Sequence, residues 1–121
     1  MLLVKNAEIY APEYLGKKDL LICGGKIECI QDSIRELPVE CEVLDAEGKI
    51  LTPGFLDQHV HITGGGGEGS FHTRTPELQM SELVENGITT VVGLLGTDGI
   101  TRSVENLVAK ARALTEEGMT V

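Results

Sequence analysis

The residues best suited to chemistry in this chain are two histidines, His59 and His61, in the run Pro53-Gly54-Phe55-Leu56-Asp57-Gln58-His59-Val60-His61. Side chains alternate along a strand, so positions i and i+2 project to the same side, and two neutral imidazoles on one face are donors for a single metal ion. Zinc suits such ligands, while ligand type alone leaves manganese, iron and cobalt open. Any two histidines so spaced share a face, and most such pairs bind nothing. This pair, however, closes its strand and directly precedes Gly64-Gly65-Gly66-Gly67, a run that lets a ligand approach the backbone closely. Asp57 shares the face one step deeper, placed either to orient an imidazole through a hydrogen bond or to pair with a lysine. The remaining histidine, His72, falls in a polar loop where a surface role is expected.

The elements that must position the pair follow from pattern. Residues 1–51 are short apolar runs broken by turn residues, which predicts antiparallel strands. Leu20-Leu21-Ile22-Cys23 and Lys26-Ile27-Glu28-Cys29-Ile30 flank Gly24-Gly25, a dipeptide suited to a tight hairpin turn, and residues 45–49 offer another turn. Near residue 52 the pattern changes to apolar strands alternating with helical stretches, as in a parallel sheet covered by helices. A strand is expected over residues 55–62, with Leu56, Val60 and Ile62 turned toward covering helices. Thr75 is expected to cap a helix with Pro76 at its first position, Met80, Leu83 and Val84 on its inner face, and Gly87 at its end. Residues 88–95 read as a strand buried on both faces. A second helix is expected over residues 104–117, capped by Ser103, with Leu107, Val108, Ala111 and Leu114 inward and Gly118 ending it; Met119 begins a further strand.

The expected fold class is therefore α/β. Residues 52–121 supply two βα units and a third strand begun, which could be the first two βα units and about a quarter of a (β/α)8 barrel of ~250 residues; a small flavodoxin-like sheet would also need more strands. Residues 1–51 would contribute strands of a small β domain before it. On this view the sequence is a truncated piece.

Composition removes several classes of function. With 19 acidic against 10 basic residues the net charge is −9, which repels nucleic acid. Cys23, Cys29 and Cys41 lack the paired spacing of zinc sites and are expected to be buried reduced thiols. The run Met1-Leu2-Leu3-Val4-Lys5 is too short for a signal peptide, and no stretch approaches the ~20 apolar residues of a membrane span, so a cytosolic location is expected.

The stretch over residues 53–61 is similar to the first-strand signature of the amidohydrolase superfamily. Its continuation His61-Ile62-Thr63-Gly64-Gly65-Gly66-Gly67-Glu68 resembles isoaspartyl (β-aspartyl) dipeptidases in particular, as do Thr73-Arg74-Thr75-Pro76-Glu77 and Val91-Val92-Gly93-Leu94-Leu95-Gly96-Thr97-Asp98. The paired histidines are shared by many amidohydrolases; the glycine run ending in Glu68 and the segment ending in Thr97-Asp98 are far more specific. The likeness covers residues 50–118, and the residues before it would fit the small β domain that such enzymes carry beside the barrel.

The resemblance implies that His59 and His61 are ligands of the more buried metal of a binuclear, usually zinc, centre. It implies that Glu68 holds the α-ammonium of a β-aspartyl substrate, and that Gly66 and Gly67 with Thr97 bind its α-carboxylate. The chemistry is complementary, since a β-aspartyl residue presents both groups beside its scissile side-chain amide. Without the resemblance, Glu68 reads as a solvated loop acid and Thr97 as a strand-end hydroxyl. The implied reaction is hydrolysis by metal-activated water. In the family the bridging carboxylated lysine, two further histidines and an aspartate base come later in the chain, so no catalytic group is expected within these 121 residues, which alone should hydrolyse little. A homo-oligomer is implied for the intact enzyme. Two rivals stay open: another amidohydrolase acting on cyclic amides or N-acyl groups, and a non-catalytic module kept for association.

Overall fold

The computed structural model describes residues 1–35 and 37–121. They form two compact units, Met1–Pro53 and Gly54–Val121.

The first unit is one mixed sheet. Strands β1 (Leu2–Tyr10), β2 (Tyr14–Cys23), β3 (Lys26–Gln31) and β4 (Glu42–Asp45) lie in the order β3-β2-β1-β4, and β5 (Ile50–Leu51) also pairs with β1. The β2–β3 hairpin turns on Gly24 and Gly25, whose φ values of 55° and 76° are those that a two-residue primed turn demands. The expectation of antiparallel pairing throughout is corrected beyond this point. Leu2 pairs with Glu42 and Glu8 with Ile50 in parallel registers, because the chain leaving β3 returns to the start of β1, where the Glu42 N–H donates to the Met1 carbonyl at 3.2 Å.

A bulge interrupts β1 at Asn6, which takes the left-handed conformation at φ 57°. Its N–H is satisfied by buried Asp19, whose two oxygens accept from Asn6 N and Ile34 N, each at 2.9 Å. Burial alone would push the Asp19 carboxyl up. The N–H groups of Ile34 and Asn6, with the Lys5 ammonium 3.8 Å away, outweigh burial and hold it below its ordinary value. Val4, Ala7, Ile9 and Leu20 form the core of this unit. The cysteines are not buried as expected: all are free, Cys23 is exposed, and Cys29 and Cys41 are half-buried, because they lie at the hairpin end, on β3 and just before β4 rather than on the inner strand.

The second unit holds two parallel strands, β6 (Phe55–Val60) and β7 (Ile88–Gly93), with helices α1 (Met80–Val84) and α2 (Val104–Glu116). Thr120 forms a single parallel bridge to Thr90 of β7. Ile62, Leu83, Val91, Leu114 and Met119 make the core, with Leu107 and Ala111 packed against it. Ser103 caps α2 by accepting from Asn106 N at 3.2 Å.

Several expected details differ. Helix α1 starts at Met80, not after Thr75, with Glu82 accepting from the Gln79 N–H at 2.7 Å. β7 stops at Gly93, and Val92 is 47% exposed rather than buried on a covered face; Leu56 at 55% and Val108 at 43% are likewise open. A two-stranded sheet with two helices leaves part of each apolar face unpartnered among the described residues. No helix among them is long and apolar enough to cross a membrane.

Candidate metal centre and substrate loop

β6 delivers Asp57 and His59, and His61 follows just past its end, since the strand closes at Val60 rather than Ile62. The two imidazoles are neighbours, with ring centroids 5.2 Å apart in an edge-on arrangement. A zinc–imidazole bond of about 2.0–2.1 Å plus the ~1.1 Å from donor nitrogen to centroid makes an arm of ~3.2 Å, and two such arms at a tetrahedral angle hold centroids about 5 Å apart. The observed separation is thus that of two rings able to share one ion.

Burial supports the same fit. His61 Nδ1 is buried and has no hydrogen-bond partner among the described residues, a state that a bound cation or a further donor group relieves. Among those residues no third His, Cys, Asp or Glu joins the pair. Asp57 does not orient an imidazole here: its Oδ1 accepts from the backbone N–H of His59 at 3.0 Å and so fixes the main chain that carries the ring.

The glycine loop lies against this pair. A Cβ on Gly65 would sit 3.4 Å from His61 Cδ2, so the loop backbone packs on the ring. Thr75, expected to cap a helix, instead clamps the loop: its Oγ1 accepts from Gly65 N at 2.7 Å and its N–H donates to the Gly65 carbonyl at 3.0 Å. Gly66 takes φ 69°, and a Cβ there would lie 2.4 Å from the Thr73 carbonyl, so no larger residue fits this crossing.

From this loop Glu68 meets Thr97, which follows β7. Thr97 Oγ1 lies 3.1 Å from Glu68 Oε1 and 3.3 Å from the Gly66 carbonyl, and its single proton is shared between these acceptors. Gly67, with φ 104°, sits beside the Asp98 side chain, where a Cβ would come within 3.7 Å. Residues 29 positions apart in sequence, the loop acid and the strand-end hydroxyl, are therefore brought to one place together with Gly66 and Gly67. His72 lies in the 3-10 turn Phe71–Thr73 and is exposed.

Two groups here escape a reading of sequence. Asp98 pins the segment after Thr97: its carboxylate accepts from Ile100 N at 3.1 Å, Thr101 N at 2.9 Å and the Thr101 hydroxyl, and pairs with Arg74 Nε at 3.1 Å. The Thr101 hydroxyl first, then the surrounding N–H groups and Arg74, hold its carboxyl down at about 2. A lowered carboxyl contributes stability that is present above its ordinary value and lost as pH falls through about 2. Acidification from pH 4 to pH 2 should therefore loosen residues 96–101 in wild type but much less in Asp98→Asn, as followed by the amide resonances of Ile100 and Thr101. The second group is Arg102, taken up below; neither residue carries a spacing that marks it.

No protein-family model matches the chain. Curated relatives include the dihydroorotase of Staphylococcus epidermidis, 35% identical over 107 residues covering 88% of this chain and 24% of that protein. Another is the dihydroorotase of a Sulfurihydrogenibium species, 39% identical over 99 residues, covering 80% and 22%. Among solved structures, the D-hydantoinase of a Thermus species is 32% identical with a TM-score of 0.61, over 77% of this chain and 20% of that one. The fold and these likenesses are those of the amidohydrolase superfamily, and the chain has the α/β architecture of the N-terminal part of its (β/α)8 enzymes. Within that superfamily, it is similar to the β-aspartyl dipeptidase of Fervidobacterium islandicum AW-1: 54% identity, TM-score 0.91, covering 98% of this chain. The chain spans about a quarter of the length of the curated relatives and 33% of that dipeptidase.

Proposed function

We propose that the intact protein is a metal-dependent hydrolase of β-aspartyl dipeptides and that these residues form one wall of its active site. The observation that carries this is the meeting of Glu68 and Thr97 at 3.1 Å on the loop that packs against His61. The 53% identity to the Fervidobacterium dipeptidase in its complex with β-Asp-Leu supports the same substrate class.

His59 and His61 would hold zinc, which when bound supplies Lewis-acid polarisation of the scissile amide and an activated water. Glu68 accepts from the substrate's α-ammonium in a charge-assisted bond, while Thr97 Oγ1 and the N–H groups of Gly66 and Gly67 bind its α-carboxylate. Binding the ammonium releases the Thr97 proton from Glu68 for the carboxylate, so the existing bond is the resting form of the clamp. An α-linked aspartyl dipeptide has no free α-carboxylate beside its ammonium and cannot fill both halves.

Two imidazoles fall short of the three or four protein ligands that zinc sites use, so further ligands and the proton-transfer group must come from other parts of the protein. The 121 residues alone should show negligible turnover. Residues 1–51 would form the small β domain and residues 52–121 the start of the barrel.

The test compares β-Asp-Leu, α-Asp-Leu and dihydroorotate as substrates of the intact zinc-loaded protein. Preference for β-Asp-Leu over its α isomer by at least ~100-fold is expected, because each lost charged hydrogen bond costs about 1.5–3 kcal/mol. Turnover of dihydroorotate in its place would move the protein to the cyclic-amide branch represented by its curated relatives.

A further inference from the structure

Arg102 stands between β7 and α2, directly before the capping Ser103, and is only 4% exposed. Its guanidinium is spent on backbone. Nε donates to the Thr63 carbonyl at 3.0 Å, and Nη2 donates to the carbonyls of Gly65 at 3.1 Å and Thr75 at 3.0 Å. Nη1 is buried without a partner, and no carboxylate lies within ion-pair distance of the group among the described residues. A buried arginine is ordinarily kept by a carboxylate that offsets its desolvation. This one is solvated by carbonyls alone, so what it holds is a backbone conformation.

The acceptors identify that conformation. Thr63 and Gly65 enter the glycine loop and Thr75 leaves it, so one planar fork closes the base of the loop that carries Gly66, Gly67 and Glu68. Closeness is extreme at this base: a Cβ on Gly64 would stand 2.8 Å from Arg102 Nη2 and 2.3 Å from the Thr75 carbonyl. Arg102 also belongs to the segment that begins at Thr97 and is pinned by Asp98. It therefore joins the two halves of the clamp, fixing where the Glu68 loop stands relative to the Thr97 hydroxyl.

We propose that Arg102 is a positioning residue for substrate recognition: it latches the glycine loop so that the ammonium-binding Glu68 and the carboxylate-binding Thr97 are set at the spacing of a β-aspartyl head group. This rests on the function proposed above. Lysine keeps the charge but offers one compact ammonium in place of the fork, so it cannot hold three carbonyls in this geometry.

The experiment uses the intact protein with Arg102→Gln and Arg102→Lys, and it has two arms. The first is amide hydrogen exchange over residues 61–78, which should accelerate at least tenfold in both variants. The second is kcat/KM for β-Asp-Leu and for its N-acetyl derivative, which lacks the α-ammonium. For β-Asp-Leu a fall of about 100-fold is expected in Arg102→Gln, since a misplacement of about 1 Å costs on that order, with Arg102→Lys between. The N-acetyl derivative still uses the carboxylate-binding Gly66 and Gly67 of the same loop, so it too should lose activity, but at least about fivefold less than β-Asp-Leu. Unchanged exchange overturns the latch whatever the activities do. Faster exchange with equal losses on both substrates overturns the recognition role and leaves Arg102 a structural residue. If the unsubstituted protein does not hydrolyse β-Asp-Leu, the functional proposal fails and the recognition role with it, while the exchange arm still decides whether Arg102 latches the loop.

Discussion

Replacing His61 with alanine in the intact protein should abolish stoichiometric zinc binding at this site and lower kcat/KM for β-Asp-Leu by at least ~1000-fold, as metal-ion catalysis supplies several kcal/mol and each 1.4 kcal/mol is tenfold. The structure gives this prediction a second arm, in stability. In the metal-free protein His61 Nδ1 is buried with no partner, so the ring is held at a cost. Removing it should change the metal-free Tm little, because the lost packing against Gly65 is offset by relief of the unsatisfied nitrogen. Zinc should raise the Tm of wild type and leave that of His61→Ala unmoved, since only a ligand that binds the native state stabilises it. His59→Ala should match it in zinc content and activity. Full zinc occupancy in either variant, measured on the dialysed protein, would remove the replaced histidine from the metal site.

What could be read from sequence divides along the range of the interactions involved. His59 and His61 are legible because alternation in a strand is a local rule, and the glycine run is legible because its residue types are unusual wherever they occur. The hairpin at Gly24-Gly25 is legible for the same reason. Thr75-Pro76 satisfies the local rules for starting a helix, yet a bond to Gly65, ten residues back, takes the Thr75 hydroxyl and holds the chain extended until Gln79. The parallel partners of β1 depend on where the chain returns after β3, which no local pattern encodes. Arg102 is the extreme case. Its hydrogen bonds reach 27, 37 and 39 positions back along the chain, and nothing in its neighbours' types signals that a guanidinium there will be buried.

Glu68→Gln should cut kcat/KM for β-Asp-Leu by about 10- to 100-fold, the value of a hydrogen bond to a charged group at roughly 1.5–3 kcal/mol. The substitution keeps the shape of the side chain and the oxygen that faces Thr97 Oγ1, 3.1 Å away in wild type, so the loop should remain in place. What it removes is the negative charge that, on the proposed function, meets the α-ammonium. Both Glu68 and the Thr97 side chain it meets are exposed, so solvent screens the pair in the free protein and its own contribution to stability is small. A β-aspartyl substrate bound as proposed should change that balance by excluding water from the clamp, which would strengthen the carboxylate–ammonium attraction. The loss should therefore fall on KM, with kcat within about threefold, because uniform binding is what the ammonium contact supplies. N-acetyl-β-Asp-Leu has no ammonium to lose, and its kcat/KM should be nearly the same in wild type and variant. The ratio between the two substrates is thus the quantity to measure: its collapse toward unity in Glu68→Gln is expected, and an undiminished ratio would mean that another group receives the amine. Thr97→Val tests the other half of the clamp, and should weaken β-Asp-Leu and its N-acetyl derivative alike, since both present the α-carboxylate.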